Sequence, residues 1–498
     1  MSKSPTLTIL SILLLITVFT GSTNAQLDSF NPGAYKVPDF KYRLLDLSFD
    51  ISGNTQNNNT PSADQTANSF RPQFSLSHAK YLNSRKKQRI SQSTFNSSSY
   101  LSNSTITQNT STENKQNTFN LDFYAFGNEE AKYFNDNAFF IGYKLNAEVQ
   151  LQINNNTSQI VVNSLVNQKT KNYQDFSQSD VSAAFTIGKG RIEETRYAMT
   201  AYYILKDLIA KKLLTQEPSH EQILALAEKI GQILNRRTFD LRDKTIEELT
   251  QLDSTLCSMF NLSDKNIKYF TTLNDNWLFA NAPSRKSGLS FQADIGANLF
   301  STSTFTQQSD LLFDTVASRY DDFTLGVGTA INFTLSYEKP ISVKWQQSVK
   351  AFLTPSIGYQ GNRIIINYNK VSIVSKIPAI ELGASYTLGY YPNTRTYLTL
   401  GLDERIGYYK AIPEDGFTTS YFNFAGQAIS ANTSYFNFTG QARINLYYYF
   451  SPTLRLQAQA GFLLSHLAQR QETNNNTTKT SNSGLNMGAT LVYSIFYG

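Results

Sequence analysis

The stretch Leu485-Asn486-Met487-Gly488-Ala489-Thr490-Leu491-Val492-Tyr493-Ser494-Ile495 alternates apolar residues with small or polar ones close to the end of the 498-residue chain. Side chains of a β-strand point alternately to its two faces, so this pattern predicts a strand with one apolar and one polar face. The pattern is longer than the roughly 5–6 residues of an ordinary strand in a soluble protein. It matches the roughly 9–11 residues with which a tilted strand crosses a bilayer.

The first 25 residues have the layout of a secretory signal peptide. Lys3 supplies a positive start, an apolar run extends over residues 7–19, and small residues follow up to Ala25. That run is shorter than the roughly 20 apolar residues of a membrane-spanning helix. We therefore expect an exported chain that begins, once the signal is removed, with a short N-terminal segment at 26–40.

The same alternation recurs along most of the chain. It is clearest in these stretches: 137–153, 291–299, 323–337, 380–390 and 454–462. Six candidate strands in 41–188 and eight in 281–498 predict an all-β, antiparallel transmembrane β-barrel of about 14 strands, within a range of about 12–16. Tight turns alternate with polar segments at 52–70, 101–116, 301–320, 359–378, 410–434 and 467–483, which we expect to be long outer loops.

Residues 189–280 have a different character and predict an α-helical insert. Residues 189–275 contain 13 basic and 13 acidic side chains. Apolar residues there follow the helical period in three stripes. The stripes are Ala198, Tyr202, Leu205, Leu208 and Ile209; Ile223, Ala227, Ile230 and Leu234; and Ile246, Leu249, Leu252, Leu256 and Met259. Ser219 followed by Gln222 is typical of a capping box, and a fourth helix is expected from Ser263. Strand counting places this insert in the periplasm.

Strand alternation assigns ten charged side chains to the barrel interior. They are Lys144, Glu148, Asp294, Lys344, Lys350, Glu381, Asp403, Arg405, Arg443 and Arg455. In an open barrel these charges would line a polar channel with a mild preference for anions. In a closed barrel they would pair across the interior and hold it shut. The pattern alone does not distinguish the two arrangements.

A charged cluster at 235–243 lies at a junction between two predicted helices. Arg236, Arg237 and Arg242 there alternate with acidic residues, which usually indicates local salt bridges. The alternative is that these arginines dock a periplasmic protein on the insert at 189–275.

Catalytic and cofactor chemistry is not indicated. His78, His220 and His466 are the only histidines, and none lies in a metalloprotease, nucleophile-elbow or phosphate-loop motif. The single cysteine, Cys257, cannot form an intramolecular disulfide. We expect no cofactor, no metal and no enzymatic activity. The formal net charge of +6 is small and dispersed, so we expect no nucleic-acid partner.

With a signal, alternating strands and an aromatic C-terminal strand that includes Phe496 and Tyr497, the chain resembles outer-membrane β-barrel proteins of the Bacteroidota type. The resemblance implies a multi-pass barrel surrounded by outer-membrane lipid and names no activity. Asn31-Pro32-Gly33 is also similar to the small hatch of the fatty-acid transporter family. The expected function is passage of small solutes, with the helical insert capping the pore, gating it or docking a partner. The alternatives are a non-conducting envelope scaffold, a surface-binding barrel or, least favoured, a membrane-embedded hydrolase.

Overall fold

The computed structural model describes most of the chain after the expected signal peptide. The described residues are 30–60, 63–108, 112–163, 165–235, 241–262, 265–279, 285–313, 315–366, 369–413, 420–422, 428–430, 433–451, 454–471 and 476–493. The predicted signal peptide at 1–25 and the terminal aromatic pair at 496–497 lie outside them. In the described part, no helix combines the length and the apolar character needed to cross a membrane.

Sixteen strands make up most of the described chain. They are β1 (Phe40–Thr60), β2 (Ala63–Asn83), β3 (Lys87–Gln108), β4 (Thr112–Phe134), β5 (Phe139–Val162), β6 (Leu165–Glu194), β7 (Lys286–Asp310), β8 (Thr315–Pro340), β9 (Trp345–Ile366), β10 (Asn369–Tyr390), β11 (Thr396–Pro413), β12 (Ser420–Phe422), β13 (Ala428–Ser430), β14 (Thr433–Tyr449), β15 (Leu454–Gln471) and β16 (Asn476–Tyr493). Fourteen of them form one sheet in chain order, whereas β12 and β13 form a separate hairpin.

The large sheet is antiparallel throughout but is not closed. Among the described residues β1 and β16 are its two edges, because β1 pairs only with β2 and β16 pairs only with β15. Both edge strands are exposed along almost their whole described length. The predicted closed barrel of 14 strands is therefore not observed and stays a prediction.

The strands are longer than the alternation predicts. The polar segments expected as long loops at 52–70, 101–116, 301–320 and 359–378 belong mostly to strands, which continue as paired hairpins. β5 alone has 24 residues, or about 80 Å of strand at about 3.3 Å per residue. Serine, threonine and asparagine occupy both faces of these extensions, so no apolar alternation marks them in the sequence.

The apolar face of the sheet is exposed and forms a band. On β7 the side chains of Leu289, Phe291, Ile295 and Leu299 are 49–54% exposed. β8 carries a matching row, because Phe291 lies opposite Leu335 and Leu299 lies opposite Val327. The row on β7 covers ten residue steps, about 33 Å along the strand and about 25 Å in height at a tilt of about 40°. The predicted two-faced strands are confirmed here.

Four helices lie between β6 and β7. They are α1 (Arg196–Ala210), α2 (His220–Leu234), α3 (Leu241–Met259) and α4 (Ile267–Leu278). β6 continues to Glu194, so the helical segment begins later than the predicted position 189. The capping box at Ser219 and Gln222 is confirmed, with reciprocal bonds of 2.9 and 3.2 Å. The fourth helix begins at Ile267, where the Asn266 side chain accepts two backbone hydrogen bonds.

The helices pack around a shared apolar core. Leu205, Leu208, Ile223, Ile230 and Leu252 in the predicted stripes are fully buried there. Ile246 is the exception, because it is 63% exposed although the helical period places it in the third stripe.

The N-terminal segment is part of this helical core. Phe30 and Tyr35 flank one turn of 3-10 helix at Pro32–Ala34 and are buried against the helices. The Phe30 ring stacks on Tyr202 at 6.2 Å, and the Tyr35 hydroxyl donates to the Ala227 carbonyl at 3.4 Å. The segment that contains the predicted hatch motif at 31–33 therefore packs on the helical insert through Phe30 and Tyr35.

Candidate functional site

A cavity of about 1090 Å³ lies at the end of the sheet that carries the short turns 84–86, 341–344 and 391–395. We call it the chamber, and that end of the sheet the turn end. Its lining includes Leu44 on β1, Gln88 on β3, Lys132 on β4, Ser336 on β8 and Thr387 on β10. Because strands from β1 to β10 border one cavity, the open sheet must curl around it.

The helical insert forms one side of the chamber. Arg196 and Tyr197 on α1, Leu234 at the end of α2 and Lys244 on α3 all border it. Val37 of the N-terminal segment completes this side. The interior space at the turn end is therefore bounded by strands around its wall and by helices at its base.

The chamber wall is rich in charge, and most of the charges are paired locally. Apart from Arg43 and Arg89, whose side chains belong to the outward face by strand alternation, its lining holds six basic residues and three acidic ones. The ion pairs are Lys132–Glu130 at 3.0 Å, Arg191–Glu193 at 2.7 Å, Arg196–Glu194 at 2.8 Å and Lys244–Glu248 at 3.7 Å. Glu338 instead accepts hydrogen bonds from Ser348 and Gln346.

Above the chamber, Lys144 and Asp294 form the centre of a polar network on the wall. The Lys144 ammonium donates to Asp294 Oδ2 at 2.7 Å, and Thr186 donates to Oδ1 at 2.6 Å. Gln292 and Asn332 also donate to Oδ2, at 3.1 and 3.4 Å. Asp294 is only 5% exposed. These residues come from β5, β6, β7 and β8, which are neighbours, so the network runs along the wall.

Four more of the sequence-predicted interior charges form two pairs in the same way. Asp403 on β11 accepts a hydrogen bond from Arg443 on the adjacent strand β14. Arg405 on β11 lies 4.0 Å from Glu381 on the adjacent strand β10. Each of the three observed pairs therefore joins strands that lie close together in the sheet, and none of the three crosses the interior.

The remaining predicted interior residues are distributed differently. Lys350 lines the chamber, Glu148 lies opposite Asp180 on β6, and the Arg455 guanidinium lies over the Tyr449 ring at 5.9 Å. Lys344 is not on a strand, because it occupies the turn between β8 and β9. Strand alternation therefore does not apply to Lys344, and its interior assignment is wrong.

Arg285 was not predicted from the sequence, yet it lies between the β8–β9 turn and α1, where its guanidinium donates to Met199 Sδ at 3.4 Å. Its guanidinium donates to the carbonyls of Ser342, Val343 and Trp345 in and after the β8–β9 turn, at 2.7 Å for Ser342 and 2.8 Å for Trp345. Burial lowers the pKa of Arg285 to about 10. A lone arginine before a strand gives no periodic signal, so only the fold reveals this contact.

The neighbouring turn is held by α1. The Tyr203 hydroxyl donates to the Tyr391 carbonyl at 3.2 Å, and burial raises the pKa of Tyr203 to about 12. The Tyr391 ring also lies 5.0 Å from the Arg285 guanidinium. We call Arg285, Tyr203 and Tyr391, with the two turns they hold, the docking contact.

The proposed docking arginines are not placed by the structure. Arg236 and Arg237 lie outside the described residues, and Arg242 is on α3 with a side chain that is not described. The histidines lie on separate elements. The His220 ring contacts Phe30, and His466 Nδ1 is 2.7 Å from the Ser481 hydroxyl. His78 lies on β2 opposite Leu45 and Ser93.

No protein-family model matches the chain, and no curated protein matches it. Among solved structures, the chain is similar to the toluene transporter TodX of Pseudomonas putida, with 12% identity, 96% of this chain and 95% of that chain covered, and a TM-score of 0.25.

Two further solved structures are similar to parts of the chain. For the translocator domain of the autotransporter NalP of Neisseria meningitidis, identity is 7%, coverage is 82% and 88%, and the TM-score is 0.19. For the outer membrane protease OmpT of Escherichia coli, identity is 10%, coverage is 43% and 84%, and the TM-score is 0.17. Scores this low carry no argument about function, and the resemblance to Bacteroidota barrels stays a prediction.

Proposed function

We propose that this chain is an outer-membrane β-barrel that passes small solutes through its interior, with the helical insert capping the periplasmic end. The exposed apolar band supports membrane placement, because its height of about 25 Å is that of the lipid-facing band of such barrels. In a membrane, the edges β1 and β16 would pair, since an open sheet edge is not tolerated in lipid.

The arrangement of the interior charges is the observation that carries the channel proposal. Charges that held a barrel shut would pair across the interior. Lys144–Asp294, Arg405–Glu381 and Arg443–Asp403 instead pair along the wall. Such pairs leave a polar, nearly neutral surface around a central path. A path of this kind suits small polar solutes and gives only weak charge selectivity.

The insert supports a capped state. Its helices border the chamber, and the docking contact joins it to the β8–β9 and β10–β11 turns. A solute leaving at the turn end would meet the helices before it met solvent. The proposed function therefore has two parts, a conducting wall and a cap that limits the flow.

Single-channel conductance of the refolded full-length protein in a planar bilayer tests both parts. We expect brief openings of the intact protein and larger, longer openings when 196–278 is replaced by a short linker. Resistance of the sheet to unfolding in detergent serves as the folding control for the deletion. Absence of conductance in both proteins, when both are folded, would contradict the channel proposal.

A matched pair of variants tests the cap without removing it. Tyr203→Phe removes the hydroxyl that donates to Tyr391, whereas Tyr143→Phe removes a hydroxyl on β5 that donates to Glu129 on β4. Only Tyr203→Phe should raise the open probability. An equal rise in both variants would mean that the docking contact does not limit the flow.

A second candidate function is attachment of a periplasmic protein to the insert. Ile246 on α3 is 63% exposed, and Ile267 and Phe270 on α4 are 83% and 47% exposed. Exposed apolar side chains on a small polar helical subdomain favour a protein contact. Photo-crosslinking in cells from position 267, compared with the exposed polar position Lys229, tests whether a protein binds at these apolar side chains. Equal crosslinking from both positions would contradict a specific attachment.

A further inference from the structure

Four basic side chains gather on the outward face of the sheet at the turn end. Lys41 and Arg43 share the face of Leu45 and Leu47 on β1, because alternate residues of a strand point the same way. Lys80 lies directly opposite Arg43. Arg89 lies opposite Leu82, which in turn lies opposite Lys41. We call Lys41, Arg43, Lys80 and Arg89 the basic cluster.

The register and charge interactions both show that the cluster is compact. Arg89, Arg43 and Lys41 all lie near enough to Lys80 to interact electrostatically with it. One carboxylate is present, since Glu129 accepts from Arg89 at 2.6 Å. Glu129 also accepts from the Tyr143 hydroxyl. The cluster therefore keeps a net charge of +3, because one acidic group neutralises one of its four basic groups.

Like charges directly opposite each other in a sheet are destabilising. Arg43 and Lys80 are such a pair, and no described carboxylate bonds to either of them. An anion bound beside the pair would remove this repulsion. The cluster begins one residue pair below the exposed apolar row of Leu45, Leu47 and Phe49 on the same face. An anion bound there would therefore lie at the border between an apolar layer and water.

We propose that the basic cluster binds the phosphate of an anionic phospholipid in the inner leaflet of the outer membrane. This inference rests on the proposed membrane placement and adds a lipid site to it. A lipid phosphate meets both conditions at once, because its acyl chains contact the apolar row while its charge contacts Arg43 and Lys80. Arginine and lysine near a membrane surface attract anionic lipid in this way.

Native mass spectrometry of the full-length protein, released from mixed phosphatidylcholine and phosphatidylglycerol micelles, measures the preference directly. We expect retained phosphatidylglycerol on the unmodified protein. Lys80→Gln should weaken its retention about five-fold, the effect of one basic group near an anionic surface. Arg43→Gln should do the same and serves as the second variant if Lys80→Gln fails to fold.

The matched control is Lys189→Gln. Lys189 is exposed on the outward face at the same end and lies between Phe139 and Phe291, with no basic residue opposite it. It should leave retention unchanged, although it removes the same charge. An equal loss in Lys189→Gln, displacement of the lipid by millimolar inorganic phosphate, or preferential retention of lipopolysaccharide would each overturn the lipid site.

Failure of the membrane placement gives a different result. A protein that does not insert into phosphatidylcholine vesicles at all would contradict the proposed function and the lipid site together. A protein that inserts but retains phosphatidylglycerol no better than phosphatidylcholine would contradict the lipid site alone.

Discussion

Removing the Arg285 guanidinium should release the helical insert from the sheet while leaving the sheet folded. Arg285→Met keeps much of the side-chain volume but removes the donors for Ser342, Val343 and Trp345. Hydrogen bonds from a charged group contribute about 1.5–3 kcal/mol each, so the loss of all three would cost several kcal/mol. Part of that cost is offset because the charged group no longer has to be buried, an effect visible in its lowered pKa of about 10. We therefore expect the insert to lose about 3 kcal/mol of stability.

The chain offers a specific reporter for this measurement. It has two tryptophans, Trp277 in the helical core and Trp345 beside the docking contact. In a Trp345→Phe background, fluorescence of Trp277 during urea titration follows the insert alone, while circular dichroism follows the sheet. Arg285→Lys should fall between Arg285→Met and the unmodified protein, because lysine keeps the charge but not the forked donor geometry.

The control for Arg285→Met is Arg395→Gln. Arg395 lies 3.8 Å from Asp275, and both side chains are largely exposed. Exposed pairs of this kind contribute about 0–1 kcal/mol. The reasoning is refuted if Arg285→Met shifts the Trp277 transition no more than Arg395→Gln, or if it unfolds insert and sheet together.

Three further predictions concern other features. The pKa of Tyr203 is about 12 in the folded protein, against an ordinary value of 10.0. The tyrosine of the unfolded chain therefore ionises first as the pH rises, and the insert should lose about 2 kcal/mol of stability between pH 10 and 12. Urea midpoints should show a smaller loss in Tyr203→Phe. Asp294→Asn leaves the Lys144 ammonium without a carboxylate, which should lower the free energy of unfolding by about 2 kcal/mol and shift the reversal potential towards anions. The double variant with Lys144→Gln should restore both values, and a selectivity that is not restored would contradict the pairing. Gly190 has φ +98° and an added Cβ would lie 2.0 Å from a backbone oxygen, whereas a Cβ on Gly407 meets nothing within 4 Å. In detergent unfolding, Gly190→Ala should therefore cost more than about 2 kcal/mol of stability and Gly407→Ala less than about 0.5 kcal/mol. Similar costs for the two variants would refute the strain argument.

The sequence predicts the strands well where one face is apolar. On β7 the alternation from Leu289 to Leu299 identifies the strand and its two faces, because membrane burial requires an unbroken apolar row. The same reasoning fails at 301–310, where serine, threonine and glutamine occupy both faces. Those residues are strand because a paired partner on β8 satisfies their backbone groups, and backbone pairing has no signature in a single sequence.

The interior site could be predicted only in part. Strand alternation indicates that Lys144 and Asp294 face the interior, but they are 150 positions apart and meet only because β5, β6 and β7 are neighbours in a particular register. Residue identity therefore suggests which charges are available, whereas register decides which of them meet. Lys344 shows a second limit of strand alternation, because this residue lies in a short turn, where alternation does not apply.

The way the insert is connected restricts how it could act as a cap. Only Thr195 separates the end of β6 from the start of α1, and Thr195 itself donates its backbone N–H to the Arg285 carbonyl at 2.7 Å. The two strands that lead into the insert thus remain paired up to its first helix. A wide swing of the whole insert would break that pairing. Opening is therefore expected to begin on the far side, at the β10–β11 turn, where the Tyr203 side chain on α1 bonds the Tyr391 carbonyl. In the proposed channel, this asymmetry predicts that the docking contact controls flow, and that variants there change open probability without unfolding the wall.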